Sequence, residues 1–319
     1  MTPSHTAVIA LGGNALAPSG EPSTIYDQFR HTRESLGPIV ELALAGWNVC
    51  IVHGNGPQVG DELVRNEVAR GEASPLPLGV LVAATAGWIG YMIQQTIENA
   101  LARAGSPRSV ATIITQVEID PKDPALRNPT KFIGRGLSRE RAKQLQAEGH
   151  VVKPDGHGKL RRVVGSPAPK AIRELPSIKA LIDQQFVVIA CGGGGAPVYR
   201  HPTLGWEGID AVVDKDLAAA VLARDLGAEL LLILTDVDAV YANWGTPEQR
   251  PLTQLTADDA VHMDEQKAFG EGSMAPKIRA AVDFVRRTSG RAIITSLSRG
   301  QEAVHGKAGT TITATAENA

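Results

Sequence analysis

The sequence predicts an α/β protein built on a mainly parallel sheet, and three observations carry that reading. Short apolar, β-branched runs break into glycine: AVIALGGNAL at 7–16, VCIVHGNGPQVG at 49–60 and FVVIACGGGGAPV at 186–198. A continuously apolar run of that length is the pattern of a strand buried on both faces, and the glycines that follow make a tight turn at its carboxyl end. Between such runs the apolar positions recur at helical spacing. Strand, glycine turn and helix therefore alternate, which calls for a parallel sheet with right-handed crossovers. At 319 residues and 43% hydrophobic content, the chain suffices for one large domain or two lobes with a substantial core.

In chain order, Tyr26 to Ala45 puts Phe29, Leu36, Ile39, Val40 and Ala43 on one helical face, closed by Gly46, so one crossover helix is expected. Val49–Val52 is the next strand, with a helix beginning near Pro57. Leu78 to Ile93 is an uncharged apolar stretch of 16 residues, bounded by Pro75, Pro77, Gln94 and Gln95. It falls short of the roughly 20 residues of a membrane span. It reads as a helix buried on most sides or as a subunit interface, with Gly79, Gly87 and Gly90 permitting close packing. Ser109–Val117 is a further strand. From Asp120 to Ser166 the texture changes, with Pro121, Pro124, Pro129, glycines at 134 and 136, a charged helix over Ser138–Glu148 and basic residues at Lys159–Arg162. That stretch is a flap or small subdomain over a site, or else a surface insertion without a role. Phe186–Cys191 resumes the sheet, Leu217 to Leu226 marks a helix closed by Gly227, and Glu229–Leu234 runs into Thr235-Asp236-Val237-Asp238. A helix over Pro276–Thr288, the strand Ala292–Thr295 and a segment Thr310–Thr313 complete a second lobe, whose boundary falls near Gly227.

Composition narrows the ligand. A net charge of −2 gives no overall basic face, so a small molecule is the expected partner rather than nucleic acid or an anionic membrane. Cys50 and Cys191 lie inside strand runs, without a C-x-x-C pair or a neighbouring histidine, and read as core thiols of a cytoplasmic protein rather than metal ligands. With no Lys or Arg before Arg30, no secretory signal is expected.

Ligands of open α/β sheets collect at the carboxyl ends of the strands, and a turn without Cβ atoms lets backbone N–H groups approach an anion. The turns at Gly12, Gly13 and Gly54, with side-chain donors from Asn14 and Asn55, are therefore a candidate phosphate or carboxylate cradle. The competing reading is turns that only shape the sheet. Asp214 is the expected N-cap of a helix that opens with Lys215 and Asp216. Ser273-Met274-Ala275-Pro276-Lys277 opens the next lobe's helix, with Pro276 suited to its first position. Both lysines then fall where the helix dipole disfavours a cation by a few tenths of a kcal/mol or more. Solvation makes that tolerable, and a polyanion at the same spot makes it useful. Asp216 either favours the helix start or holds the lysines in place, and Asp236 and Asp238 suit a nucleotide or Mg²⁺, or simply form a turn. There is no G-x-x-x-x-G-K-[ST], no H-R-D or D-F-G, no regular dinucleotide fingerprint, no zinc pattern and no nucleophile elbow. What remains is phosphate handling by glycine turns, lysines and helix termini.

The stretches VIALGGNAL at 8–16, IVHGNGPQVG at 51–60, NPTK at 128–131, RRVVGSP at 161–167, ACGGGGAPV at 190–198, GIDAVVDKDLAA at 208–219, LTDVDAVY at 234–241 and GSMAPKI at 272–278 resemble the amino-acid kinase superfamily, and within it the carbamate kinase family most closely. They cover nearly the whole chain in the family's order. The resemblance implies a three-layer αβα sandwich around a mainly parallel sheet, with a small protruding subdomain at about 120–166. It implies a lobe over 1–227 for carbamate and carbamoyl phosphate, a lobe over 228–319 for ATP or ADP, and a homodimer. The reaction it implies is reversible phosphoryl transfer between MgATP and carbamate, with Mg²⁺ arriving on the nucleotide and no metal held by the protein. By position, Gly12, Gly13, Asn14, Gly54 and Asn55 would cradle carbamate and the transferring group. Lys131 would reach in from the subdomain, Lys215 and Lys277 would neutralise the phosphates, and Asp216 would organise the lysines. Thr235, Asp236, Val237, Tyr241, Met274 and Ala275 would lie along the nucleotide. The chain departs from the family after NPTK, running Phe132-Ile133-Gly134-Arg135-Gly136-Leu137, which bears on how the subdomain fits over the substrate. Rival readings are a kinase of another small acid, needing a larger pocket beside Asn14 and Asn55, and a nucleotide-binding regulator without catalysis.

Overall fold

Strands that are apolar on both faces must be covered on both faces, and that requirement sets the architecture. The structure, a computed structural model, describes residues 5–17, 24–156, 158–266, 268–269 and 274–315; the side chains of residues 14 and 15 lie outside that description. β1 (Thr6–Leu11) leads through α1 (Gly13–Leu16), α2 (Ile25–Ser35) and α3 (Gly37–Leu44) to β2 (Asn48–His53), which pairs with it in parallel. The single helix expected over 26–45 is two. Pro38 has no N–H, and its ring would collide with the carbonyl four residues back, so the chain breaks at Leu36 and Pro38 sits in the first turn of α3. α4 (Gly56–Val68) follows the second glycine turn. α5 (Leu78–Arg103) carries the uncharged stretch on into a helix of 26 residues that includes Glu98 and ends at Arg103. By length and composition it could cross a membrane, yet 56% of its most apolar window is buried within the protein.

β3 (Val110–Thr112) stays in the main sheet, but β4 (Gln116–Glu118) does not, so the run at 109–117 is divided between two sheets. The chain leaves at Thr115, whose hydroxyl accepts the Cys191 N–H at 2.9 Å and whose carbonyl accepts the Ala196 N–H at 2.8 Å. The stretch 120–166 forms a small unit of α6 (Pro124–Arg127), β5 (Lys131–Leu137), α7 (Arg139–Ala147), β6 (Val151–Pro154) and β7 (Leu160–Val164). Its strands pair antiparallel in the order β5-β7-β6. β8 (Ala171–Ile172), α8 (Leu175–Asp183), β9 (Val187–Ile189), β10 (Ala196–His201) and β11 (Gly205–Gly208) come next. The order β11-β10-β4-β8 makes a four-stranded sheet with no counterpart in the sequence reading. α9 (Lys215–Leu226) starts on Asp214 and ends on Gly227, whose φ of +66° favours glycine. β12 (Leu230–Thr235), β13 (Val240–Ala242), β14 (Arg250–Leu252), β15 (Gln254–Thr256), α10 (Ala257–Glu265), α11 (Met274–Arg287), β16 (Arg291–Ser296), α12 (Gly300–Val304) and β17 (Thr310–Thr313) complete the described chain.

The main sheet runs β15-β17-β16-β12-β1-β2-β9-β3, and only β16 with β17 is antiparallel. Alternate residues point to opposite sides. Val8, Ala10, Cys50, Val52, Leu231 and Ile233 pack beneath α9 and α11, while Ala7, Ile9, Leu11, Val49, Ile51 and Leu232 pack against α3 and α5. The result is three layers, αβα. Both cysteines are buried in the first of these cores, where burial pushes the Cys50 thiol up to about 12 and the Cys191 thiol well above its ordinary value. From β1 the chain steps to β2 on one side and later reaches β12 on the other. That reversal opens a crevice at the carboxyl ends of these strands.

Candidate active site

The carboxyl ends of β1, β2, β12 and β16 open into a cleft of about 1190 Å³, covered on one side by β5 of the small unit. Gly12, Gly13, Gly54, Asn55, Lys131, Lys215, Asp216, Lys277, Thr235 and Asp236 all line it, although they come from widely separated parts of the sequence. Asn14 lies in α1, its side chain outside the described residues, and Ser273 is likewise outside them. Val237, Tyr241, Met274 and Ala275 are not among the lining residues. The Tyr241 hydroxyl donates to Asp238 Oδ1 at 2.6 Å, its ring meets Trp244 edge-on at 5.3 Å, and Met274 packs on the core beneath α11.

The glycine turns act differently from the simplest expectation. Gly12 N–H donates to the Leu234 carbonyl at 3.0 Å and Gly54 N–H to the Leu11 carbonyl at 2.9 Å, so neither amide is aimed at a ligand. What these glycines supply is close approach. A Cβ on Gly54 would stand 3.0 Å from Gly13 N and 3.2 Å from Lys215 Cδ, so the two turns and the lysine stem touch. The donors lie one step further on. α4 begins directly at the second turn with Gly56 and Pro57 lining the cleft, and its N-cap Asn55 makes no side-chain cap, so the Gly56 N–H is the first-turn donor nearest the cleft, Pro57 having none. The third glycine run is a 3₁₀ turn, with Cys191, Gly193, Gly194 and Gly195 all at positive φ. A Cβ on Gly194 would lie 2.1 Å from the Val213 carbonyl oxygen, so this run packs against the extended segment leading to Asp214.

Charge is concentrated at the start of α9. Lys131 Nζ donates to Asp214 Oδ2 at 2.5 Å, Lys215 pairs with Asp216, and Lys277 Nζ lies 3.4 Å from the other oxygen of Asp216. Asp214 also caps α9, accepting the Asp216 N–H at 2.9 Å. Asp214, Asp216 and Lys277 are all buried. Burial alone would raise the Asp214 carboxyl, but the Lys131 and Lys215 charges override it and hold that carboxyl well below the usual range. Lys215 is pushed down, first by burial and then by the Lys277 charge, against the opposing pull of Asp216. The sequence reading gave Asp214 only the role of a helix cap. Its second role, as counter-ion to Lys131 across 83 positions, is visible only once the small unit folds over the cleft.

The small unit rests on α4 through backbone. A Cβ on Gly60 would stand 2.2 Å from Gly134 Cα, and Gly134 itself has φ +68° in a bulge between Ile133 and Leu137. Arg161 donates twice to the Gly134 carbonyl, at 3.1 and 2.8 Å, and stacks over Phe132 with 5.5 Å to the ring centroid. Arg135 pairs with Asp61 at 3.0 Å, Arg141 with Glu67, and Arg70 with Glu148 at 3.3 Å. The unusual Phe132–Leu137 stretch thus seats the unit on α4 and carries Lys131 at its edge.

Residues 5–296 match the amino acid kinase family. The carbamate kinase of Escherichia coli O6:H1 is 44% identical over 308 residues, covering 96% of this chain and 99% of its own. The carbamate kinase from Giardia lamblia superposes with a TM-score of 0.91 when bound to citric acid and 0.90 when bound to AMP-PNP. Each Giardia structure is 39% identical and covers 98% of this chain and 99% of its own.

Proposed function

Because the chain belongs to the amino acid kinase family, and within it to the carbamate kinases, we propose that this cleft transfers a phosphoryl group reversibly between MgATP and carbamate, giving carbamoyl phosphate and MgADP. The observation that carries the assignment to this cleft is the arrangement of three lysines around Asp214 and Asp216, beside two touching glycine turns.

A carbamate oxygen attacks the γ-phosphorus as the bond to the β-phosphate oxygen breaks, and the electron pair leaves on ADP. Carbamate is already an anion, so no general base is needed, which suits a cleft of glycines and lysines. The protein's task is in-line positioning and neutralisation of the charge on the transferring oxygens. Gly13, Asn55 and the start of α4 hold the acceptor, with Gly12 and Gly54 allowing the close approach and Asn14 beside them. Lys131 meets the transferring group from above, and Lys215 and Lys277 neutralise the phosphate chain under the control of Asp216. Thr235, Asp236, Val237, Tyr241, Met274 and Ala275 follow the nucleotide, so that residues 1–227 serve the acceptor and 228–319 serve ATP or ADP. Mg²⁺ would arrive on the nucleotide and offset phosphate charge there. Among the described residues no three His, Cys, Asp or Glu side chains converge into a cage for it, and Asp236 supplies a carboxylate within the cleft.

Carbamoyl phosphate mixed with MgADP and the purified chain is expected to yield ATP, followed by luminescence. No ATP above the uncatalysed background overturns the reading. The working form we propose is a cytoplasmic homodimer. α5 leaves Val80, Ala84 and Tyr91 exposed along one face, with exposed Ile114 against Gly87 on the same face. A second copy covering that stripe removes apolar surface from water. Sedimentation velocity is expected to give a species of twice the 33.6 kDa chain mass, and a monomer at every concentration speaks against it.

A further inference from the structure

Asn55 is held on two sides, and one of its partners is a residue that does not line the cleft. Its Nδ2 lies 2.9 Å from Oγ1 of Thr85 on α5, and both side chains are buried, Thr85 completely. The same hydroxyl lies 2.8 Å from the Leu81 carbonyl and 2.9 Å from the Val82 carbonyl. A carbonyl can only accept, and a hydroxyl has a single proton, so that proton belongs to the backbone of α5. Toward Asn55 the Thr85 oxygen can therefore only accept. Asn55 must present its NH₂ group to Thr85, which turns the amide oxygen away from it. On the other side Gly193, at φ +67°, lies against the amide. A Cβ there would stand 2.3 Å from Nδ2, 2.5 Å from Cγ and 2.8 Å from Oδ1. Thr85 thus fixes which end of the amide is which, and Gly193 fixes its plane.

We propose that Thr85 is a positioning residue that sets the Asn55 amide so that Oδ1 accepts a hydrogen bond from the amino group of the carbamoyl substrate; this rests on the reaction proposed above. Carbamoyl phosphate and acetyl phosphate have nearly the same shape and charge, and differ by an NH₂ where the analogue has a methyl group. A buried acceptor held toward that position gains a partner with the first and is left unpaired with the second, which is how a site rejects an analogue lacking one donor. Asn55 makes the contact, and Thr85 determines that the contact is an acceptor.

The test compares kcat/KM for carbamoyl phosphate and acetyl phosphate as donors to MgADP in the wild type, Thr85→Val and Thr85→Ser. The wild type is expected to prefer carbamoyl phosphate. Thr85→Val, which replaces the hydroxyl by a methyl group of similar size, is expected to lose about ten-fold of that preference, all of it on carbamoyl phosphate. KM for MgADP should stay where it was, and Thr85→Ser should restore the preference. An equal loss on both donors, or a serine variant that behaves like the valine one, overturns the proposal. So does a wild type that uses both donors equally well, a result independent of whether any variant folds. A wild type that makes no ATP from carbamoyl phosphate at all removes the reaction itself, which is a different and separately visible failure.

Discussion

Lys131→Ala is expected to lower kcat by roughly 10²- to 10³-fold, the usual cost of deleting one donor that stabilises charge developing in the transition state, while the affinity for MgADP stays close to that of the wild type. Lys131 comes from β5 of the small unit, not from the strands and helices proposed to carry the nucleotide. Without substrate its ammonium group bonds Asp214, and a phosphoryl group entering between β5 and α9 would compete for the same cation. The loss should fall on turnover and not on folding, because Asp214 keeps Lys215 nearby and the Asp216 and Leu217 amides as donors when Lys131 is gone. Steady-state rates together with calorimetric titration of MgADP separate the two effects. A parallel collapse of ADP binding would show that Lys131 belongs to the nucleotide half.

The parts of the molecule that could be read from sequence are those whose causes are local. The strands at 7–11, 187–189 and 230–234 announce themselves because burial on both faces leaves no polar position, and the Asp214 cap and the Gly227 terminator belong to short-range helix chemistry. Lys215 and Lys277 stood out because a cation in a helix's first turn needs a reason. Local pattern is a poor guide where distant residues decide. The helical periodicity over 26–45 runs through Pro38, where the chain breaks, and the β-branched run at 109–117 does not reveal that the chain leaves one sheet for another at Thr115. The four-stranded sheet of β4, β8, β10 and β11 has short, unremarkable strands, so nothing in the local pattern reveals it. In the cleft, residue types were legible and partners were not. That Gly12 and Gly54 give their N–H groups to Leu234 and Leu11, or that Asn55 answers to Thr85 on another helix, follows from how elements pack.

Asp216→Asn should be the most damaging single-atom-scale change, because one carboxylate serves both the half-buried Lys215 and the buried Lys277. The amide keeps the shape but loses the charge, leaving Lys215 and Lys277 without the carboxylate between them. Removing one partner from a buried ion pair costs about 3–5 kcal/mol, so a lower denaturation midpoint is expected alongside the loss of turnover. The pH dependence distinguishes a counter-ion from a merely structural aspartate. In the wild type, burial and the Lys277 charge push Lys215 down while Asp216 opposes them. Without that opposition Lys215 gives up its proton at lower pH, so the alkaline limb of kcat/KM moves toward neutrality. The stability deficit should move the same way. A lysine whose folded pKa lies below its unfolded one destabilises the fold fully below the folded value, and the penalty shrinks as pH rises toward the unfolded value. Denaturant titrations of the variant and the wild type should therefore converge with rising pH. An unmoved alkaline limb, or a deficit that is constant across the range, would mean that Asp216 is not what keeps Lys215 charged.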